Sequence, residues 1–262
     1  LPYTREVKIL EEEEIATVRP GFVQITKLSG EPVNRPSRTI DWSPVMAEKG
    51  GHKHFMHKEI FEQPRAVVDT LRGRLSSTGD DVTIEEGLLR VLVNASRVVF
   101  TACGTAYHAC VVGRLAFEEL ARMSCEVELA SELRYRHPLM GPDTVTLAVS
   151  QSGETADTLA AVKAAREFKS PVVSVINVVD SSIARESDWV LYTHAGPEIG
   201  VASTKAFITQ VVAMYLLALG MGRRRGLDGK RAARLIEELR HMPLHLESIL
   251  RQEDHIITVA NR

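Results

Sequence analysis

From residue 64 onward, short apolar runs alternate with longer segments whose apolar positions recur every three or four residues. The runs at 97–102, 144–149, 172–176 and 189–192 have the length and β-branched content of buried strands. A fifth, at 126–130, alternates charged and apolar residues as a half-exposed strand does. Helical spacing predicts helices over 66–75, 85–94, 107–123, 156–168, 203–221 and 230–251. In the 107–123 segment, Val111, Val112, Leu115 and Leu120 mark the buried stripe. Strands separated by helix-length segments need crossover connections. The predicted class is therefore α/β, a doubly wound, five-stranded parallel sheet with helices on both faces.

The rhythm before residue 64 is different. Short β-rich segments fill 4–28 around the acidic run Glu11–Glu14 and the turn at Pro20-Gly21. Four adjacent carboxylates cannot all face one ion, so that run is expected to be a solvated turn. Residues 29–63 are dense in Pro, Gly, Lys and His and show little periodicity, as a linker would. The expected organisation is a β-rich portion over 1–40, an irregular interdomain linker over 41–63, the α/β domain over 64–228, and a helical segment over 229–262.

Composition changes this picture little. Net charge is −2, so no basic field points to nucleic acid or an anionic membrane, and Arg223-Arg224-Arg225 reads as a solvated helix end. Three cysteines, an odd number without zinc-ribbon spacing, read as reduced thiols in the cytoplasm. The longest apolar stretch, 207–219, contains Thr209 and Gln210 and reads as a buried helix, not a membrane span.

Candidate chemistry is concentrated where strands end. After the 144–149 run comes Ser150-Gln151-Ser152-Gly153-Glu154-Thr155, and then a helix. The first amides of a helix have no intrahelical acceptor and lie at the positive end of its dipole, so this junction suits an anion. Ser150, Ser152 and Thr155 add hydroxyl donors, Gln151 adds an amide, and Gly153 permits close approach of the backbone. Hydroxyls without a cation suit a phosphate ester held without a metal, although an ordinary Ser/Thr-capped helix has the same pattern. The motif is neither a Walker loop nor a dinucleotide fingerprint. Two further strand–loop–helix junctions repeat the logic. Cys103-Gly104-Thr105-Ala106 follows the first strand. Glu198 to Lys205 follows the last and opens a long helix, with Ser203 or Thr204 as its expected cap. Ligands of open parallel sheets bind outside the strands' carboxyl ends, so the three loops are expected on one rim.

Several stretches together resemble the family of glutamine–fructose-6-phosphate aminotransferases. They are Ala47-Glu48-Lys49-Gly50, the run from His54 to Pro64 (HFMHKEIFEQP), Cys103-Gly104-Thr105, SQSGETADTL from Ser150, and EIGVASTKAF from Glu198. The resemblance covers the chain from about residue 7 onward. The SQSGET-like motif alone gives only the sugar isomerase (SIS) superfamily, and the other stretches narrow it. The resemblance implies an SIS-type sheet in the α/β domain, with the end of a glutaminase domain before it. A second SIS domain would follow in the complete enzyme. It implies conversion of fructose 6-phosphate and glutamine to glucosamine 6-phosphate and glutamate, without a cofactor, in a homodimer. Ser150, Gln151, Ser152 and Thr155 would bind the phosphate, Thr105 and Ala106 would lie beside it, and Val201 and Ser203 would contact the sugar. Family members commonly carry Ser where this chain has Ala106, which removes one hydroxyl. The family's glutaminase nucleophile and isomerase groups have no counterpart in these stretches. No catalytic residue is therefore expected in this chain, which should be inactive alone. A non-catalytic sugar-phosphate sensor and a stand-alone isomerase are the alternatives.

Other residues take plainer readings. His52, His54 and His57 lack a fourth partner and fixed geometry, so no metal site is expected. Cys103 reads as a packed thiol, because no base is identifiable beside it. Lys205 opposes the dipole of its helix and is expected to be held by a carboxylate such as Glu198. Glu154 is expected to cap its own helix.

Overall fold

The structure, a computed structural model, describes residues 4, 6–39 and 48–262. The chain divides into two units, Leu1–Glu48 and Lys49–Arg262. In the first, β2 (Glu14–Arg19) and β3 (Phe22–Lys27) form an antiparallel hairpin, and β4 (Pro32–Val33) adds to β3. Arg19 pairs with Phe22, leaving Pro20-Gly21 as the loop, and Gly21 takes φ +72°. The short strands β1 (Glu6–Val7) and β5 (Arg38–Thr39) pair separately. The acidic run turns at Glu12-Glu13, but it is not simply solvated. Arg35 reaches Glu14 at 2.5 Å and also bonds Glu11, and the Glu14 side chain is almost fully covered. The stretch read as linker is also more ordered than its composition implies. Phe55–Phe61 forms α1, while 41–47 lies outside the described residues.

The second unit carries the predicted sheet. Strands β6 (Arg97–Ala102), β7 (Cys125–Leu129), β8 (Thr144–Ser150), β9 (Val172–Ile176) and β10 (Trp189–Tyr192) lie in the order β10-β9-β8-β6-β7, all parallel. Period-two alternation divides their side chains between two cores. Val98, Phe100, Val145, Leu147, Val149, Val173 and Val175 point into the larger one. There they meet α2 (Gln63–Leu71), α3 (Glu86–Asn94), α4 (Gly104–Ala116), α8 (Lys205–Arg224) and α9 (Gly229–Leu250). Ala148, Val172 and Ile176 face the other way, against α6 (Ala156–Glu167) and α7 (Ser182–Glu186). The short α5 (Ala130–Leu133) packs on α6 through Leu133 and Ala161, and α10 (Glu253–Ala260) follows α9.

Three helices differ from the sequence pattern. The 66–75 helix runs from Gln63 to Leu71 instead. Pro64 is tolerated in its first turn, and Gly73 at φ +70° turns the chain out beyond its end. The 107–123 helix starts earlier, at Gly104, and finishes as a π-helical turn, Phe117–Ala121, before Arg122 turns left-handed at φ +52°. That widened turn brings the Leu120 carbonyl against Gly222 of α8, where a Cβ would sit 2.5 Å away. The third, α8, runs from Lys205 to Arg224 where 203–221 is expected, and it has the length and apolarity of a membrane span, with mean hydropathy 1.5. Its apolarity is used internally, since 78% of that window is buried in the protein.

Candidate functional site

Strand β6 connects through α4 to β7 on one side of it, and β7 connects through α5 to β8 on the other. The chain direction therefore diverges at the carboxyl ends of β6 and β8, which is where a crevice opens in sheets of this kind. The loops leaving those two strands are Cys103-Gly104-Thr105 and Ser150 to Thr155. The structure thus brings Thr105 and the hydroxyl-rich loop to one rim, as the sequence predicts. Thr158 of α6 faces the Cys103 thiol across it at 4.0 Å.

The 150–155 loop is held from within. Ser150 is buried, and its Oγ accepts from the Gly153 N–H at 3.0 Å and lies 3.1 Å from Thr155 Oγ1. Ser152 Oγ accepts from the Glu154 N–H at 3.1 Å. Gly153 takes φ +67° and packs so closely on Ser181 that a Cβ there would lie 1.9 Å from the serine Oγ. Helix α6 has Thr155 at its N-cap position but no side-chain cap, so its leading amides keep their donor capacity. Cys103 stands likewise at the uncapped start of α4. In the first turn of α6, Asp157 accepts from Arg134 at 2.6 Å, which brings a cation to this end of the helix.

The third loop leads into α8. Glu198 accepts from the Thr204 N–H at 2.8 Å, the Ala206 N–H at 3.2 Å and the Ser203 hydroxyl at 2.9 Å. Val201 stands fully exposed at its apex, and Ser203 is half-buried.

Residues 91–220 match the SIS domain family. The glutamine–fructose-6-phosphate aminotransferase (isomerizing) of Symbiobacterium thermophilum is 53% identical over 246 residues, which is 93% of this chain and 40% of that protein. The same enzyme of Caldanaerobacter subterraneus subsp. tengcongensis is 43% identical, over 100% of this chain and 43% of its own length. Among solved structures, the C-terminal domain of glucosamine-fructose-6-phosphate aminotransferase from Francisella tularensis superposes with TM-score 0.76 at 35% identity. That match covers 81% of this chain and 60% of the other. The chain thus spans about two fifths of the length of the curated relatives it matches. By sequence and fold it belongs to the glutamine–fructose-6-phosphate aminotransferase family.

Around this SIS domain, three expectations for polar side chains are overturned. Lys205 is held by Glu62, at 2.5 Å, and not by Glu198, whose carboxylate instead satisfies the start of α8. Glu198 thus does the capping expected of Ser203 or Thr204. Thr204 occupies the N-cap position without a side-chain bond. Glu154 does not cap α6 either. Its Oε1 accepts from the Ser182 N–H at 2.8 Å, tying the 150–155 loop to α7, and the Ile183 N–H adds a bond to Gly153 O. Ala106 is buried in the larger core, so all it can offer a ligand is its backbone N–H in the first turn of α4.

Asn177 was not foreseen. It is buried at the exit of β9, and its N–H bonds Gln151 O at 3.3 Å. Its side chain accepts from the Ala195 N–H at 2.7 Å and donates to Gly196 O at 2.7 Å, joining the 150–155 loop to the segment that leads toward Glu198. The available signal was its position, a polar residue directly after an apolar strand, as in SQSGET. Among the histidines, His52 Nδ1 lies 2.9 Å from His57 Nδ1, and His57 Nε2 lies 2.5 Å from Glu253. No group of three or more His, Cys, Asp or Glu converges as metal ligands among the described residues. A cavity of about 570 Å³ between α2 and α9, lined by Phe61, Val68, Pro243 and Leu250, lies away from the rim loops.

Proposed function

We propose that this chain supplies the sugar-phosphate cradle of an isomerising aminotransferase that forms glucosamine 6-phosphate and glutamate from fructose 6-phosphate and glutamine. The observation that carries the proposal is the uncapped start of α6, with the hydroxyls of Ser150, Ser152 and Thr155 around it at the divergence of the sheet. Free amides at the positive end of a helix, together with neutral hydroxyls, form a phosphate receptor that needs no metal. Ser150, Gln151, Ser152 and Thr155 hold the phosphate. Thr105 and the Ala106 amide line its side, and Val201 and Ser203 contact the sugar.

No residue of this chain is assigned a catalytic role. Glutamine hydrolysis and the isomerase proton transfers belong to the portions of the relatives outside the match, a glutaminase domain and a second SIS domain. The complete enzyme works in the cytoplasm as a homodimer without a cofactor, and the 262-residue chain alone does not turn over sugar phosphate. Calorimetric titration with fructose 6-phosphate tests the cradle. Ser152→Ala removes a charge-assisted hydrogen bond of about 2 kcal/mol, so affinity should fall about 30-fold. An unchanged affinity would sink the assignment.

A further inference from the structure

The loop that presents Val201 and Ser203 is gripped from outside by a helix with no assigned task. Glu59, on α1, is almost completely buried, with 2% of its surface exposed. Its Oε1 accepts from the Ile199 N–H at 2.6 Å and the Gly200 N–H at 3.1 Å, and Oε2 lies 3.1 Å from the Gly200 nitrogen. The contact leaves no room for a side chain at residue 200. A Cβ on Gly200 would fall 2.5 Å from Glu59 Oε2 and 3.3 Å from Met56 Cα. Three residues on, at the junction of α1 and α2, Glu62 holds the buried Lys205. Positions three apart share a helix face, so one acidic edge pins the loop at 199–200 and again at 205. Only the apex between those points is left to meet a ligand.

A buried carboxyl group bonded to two consecutive main-chain amides does more than fill space. It fixes the orientation of both peptide units, and so the direction in which the chain leaves Gly200. We propose that Glu59 is a positioning residue for the sugar-contacting loop, holding the Ile199 and Gly200 amides so that Val201 and Ser203 stand in place before ligand arrives. The proposal rests on the reading of Val201 and Ser203 as sugar contacts. It assigns α1 the part of a brace that acts on sugar recognition and leaves phosphate binding to the 150–155 loop.

The test uses Glu59→Ala and Glu59→Gln in the full 262-residue chain, each titrated with fructose 6-phosphate and, separately, with inorganic phosphate. Glu59→Ala should weaken fructose 6-phosphate binding about 10-fold, because two buried N–H groups lose their acceptor. Inorganic phosphate, which needs only the 150–155 loop, should bind within about 2-fold of the unaltered chain. The Gln variant keeps an acceptor oxygen for both amides and should recover most of the sugar-phosphate affinity. Equal loss of both ligands in the Ala variant, or no loss of either, would overturn the proposal. Hydrogen exchange gives an independent reading. In Glu59→Ala the Ile199 and Gly200 amides should exchange at least about 100-fold faster, while those of 145–149 keep their protection. Unchanged exchange at 199–200 overturns the brace. Failure of the unaltered chain to bind either ligand would instead count against the cradle reading, with exchange still judging Glu59.

Discussion

Gly153 shows how narrowly the rim is specified at single residues. Its positive φ disfavours any side chain, and Ser181 Oγ occupies the place where a Cβ would go. Gly153→Ala should therefore lower the unfolding free energy by more than about 2 kcal/mol, read by urea titration. Gly104 also has positive φ, +59°, but faces open space, so Gly104→Ala should cost only about 1 kcal/mol. The cysteines differ in the same local way. Burial pushes the Cys125 thiol up to about 12 and that of Cys110 further, so neither should alkylate at pH 8 in the native chain. Mass spectrometry after brief iodoacetamide treatment checks this, and rapid labelling of either would contradict the packing. At this scale the sequence was most legible where chemistry is contiguous. Ser150 to Thr155 meet one another within six residues, so their pattern is visible in the string. Glu59 acts on Ile199 from 140 positions away, and Asn177 on Ala195 from 18. Such partnerships are made by the fold and leave no local mark.

Among elements, the start of α8 depends on one carboxylate. Glu198→Ala would strip the acceptor from two amides and the Ser203 hydroxyl, and should destabilise the second unit by about 1–2 kcal/mol in chemical denaturation. In the first unit, the β2–β3 hairpin is tied by Arg35 to Glu14. The hydrogen bond from the Arg35 guanidinium holds the Glu14 carboxyl below its ordinary 4.5. The folded state therefore binds that proton less readily than the unfolded chain does. The contribution is complete above about 4.5 and disappears as pH falls through the depressed value. Amide shifts of β2 and β3 during acid titration should move in that window in the unaltered chain, and Arg35→Ala should shift their midpoint upward. Four of the five parallel strands were readable as near-continuous apolar runs, and the edge strand β7 as an alternation of charged and apolar residues. Helix ends were less so. The π-helical finish of α4 answers to the close approach of Gly222, and α1 is ordered by contacts to Ile199 and Gly200, neither of which its own composition announces.

For the whole molecule, the sheet order decides where chemistry can occur. With β6 flanked by β7 and β8, the divergence point falls at the exits of β6 and β8, where the hydroxyl loop and Thr105 stand. The alternation of strands and helices announced a parallel sheet, but the order of its strands, and with it this crevice, comes from pairing between distant segments. A sizeable apolar cavity lies elsewhere, between α2 and α9, so diffraction can tell the two places for a ligand apart. Crystals of the chain soaked in fructose 6-phosphate should show the phosphate against the Ser150, Ser152 and Thr155 hydroxyls and the first amides of α6, with the sugar toward Val201 and Ser203. Density confined to the groove beside Phe61 and Pro243, or a phosphate placed away from the start of α6, would contradict it.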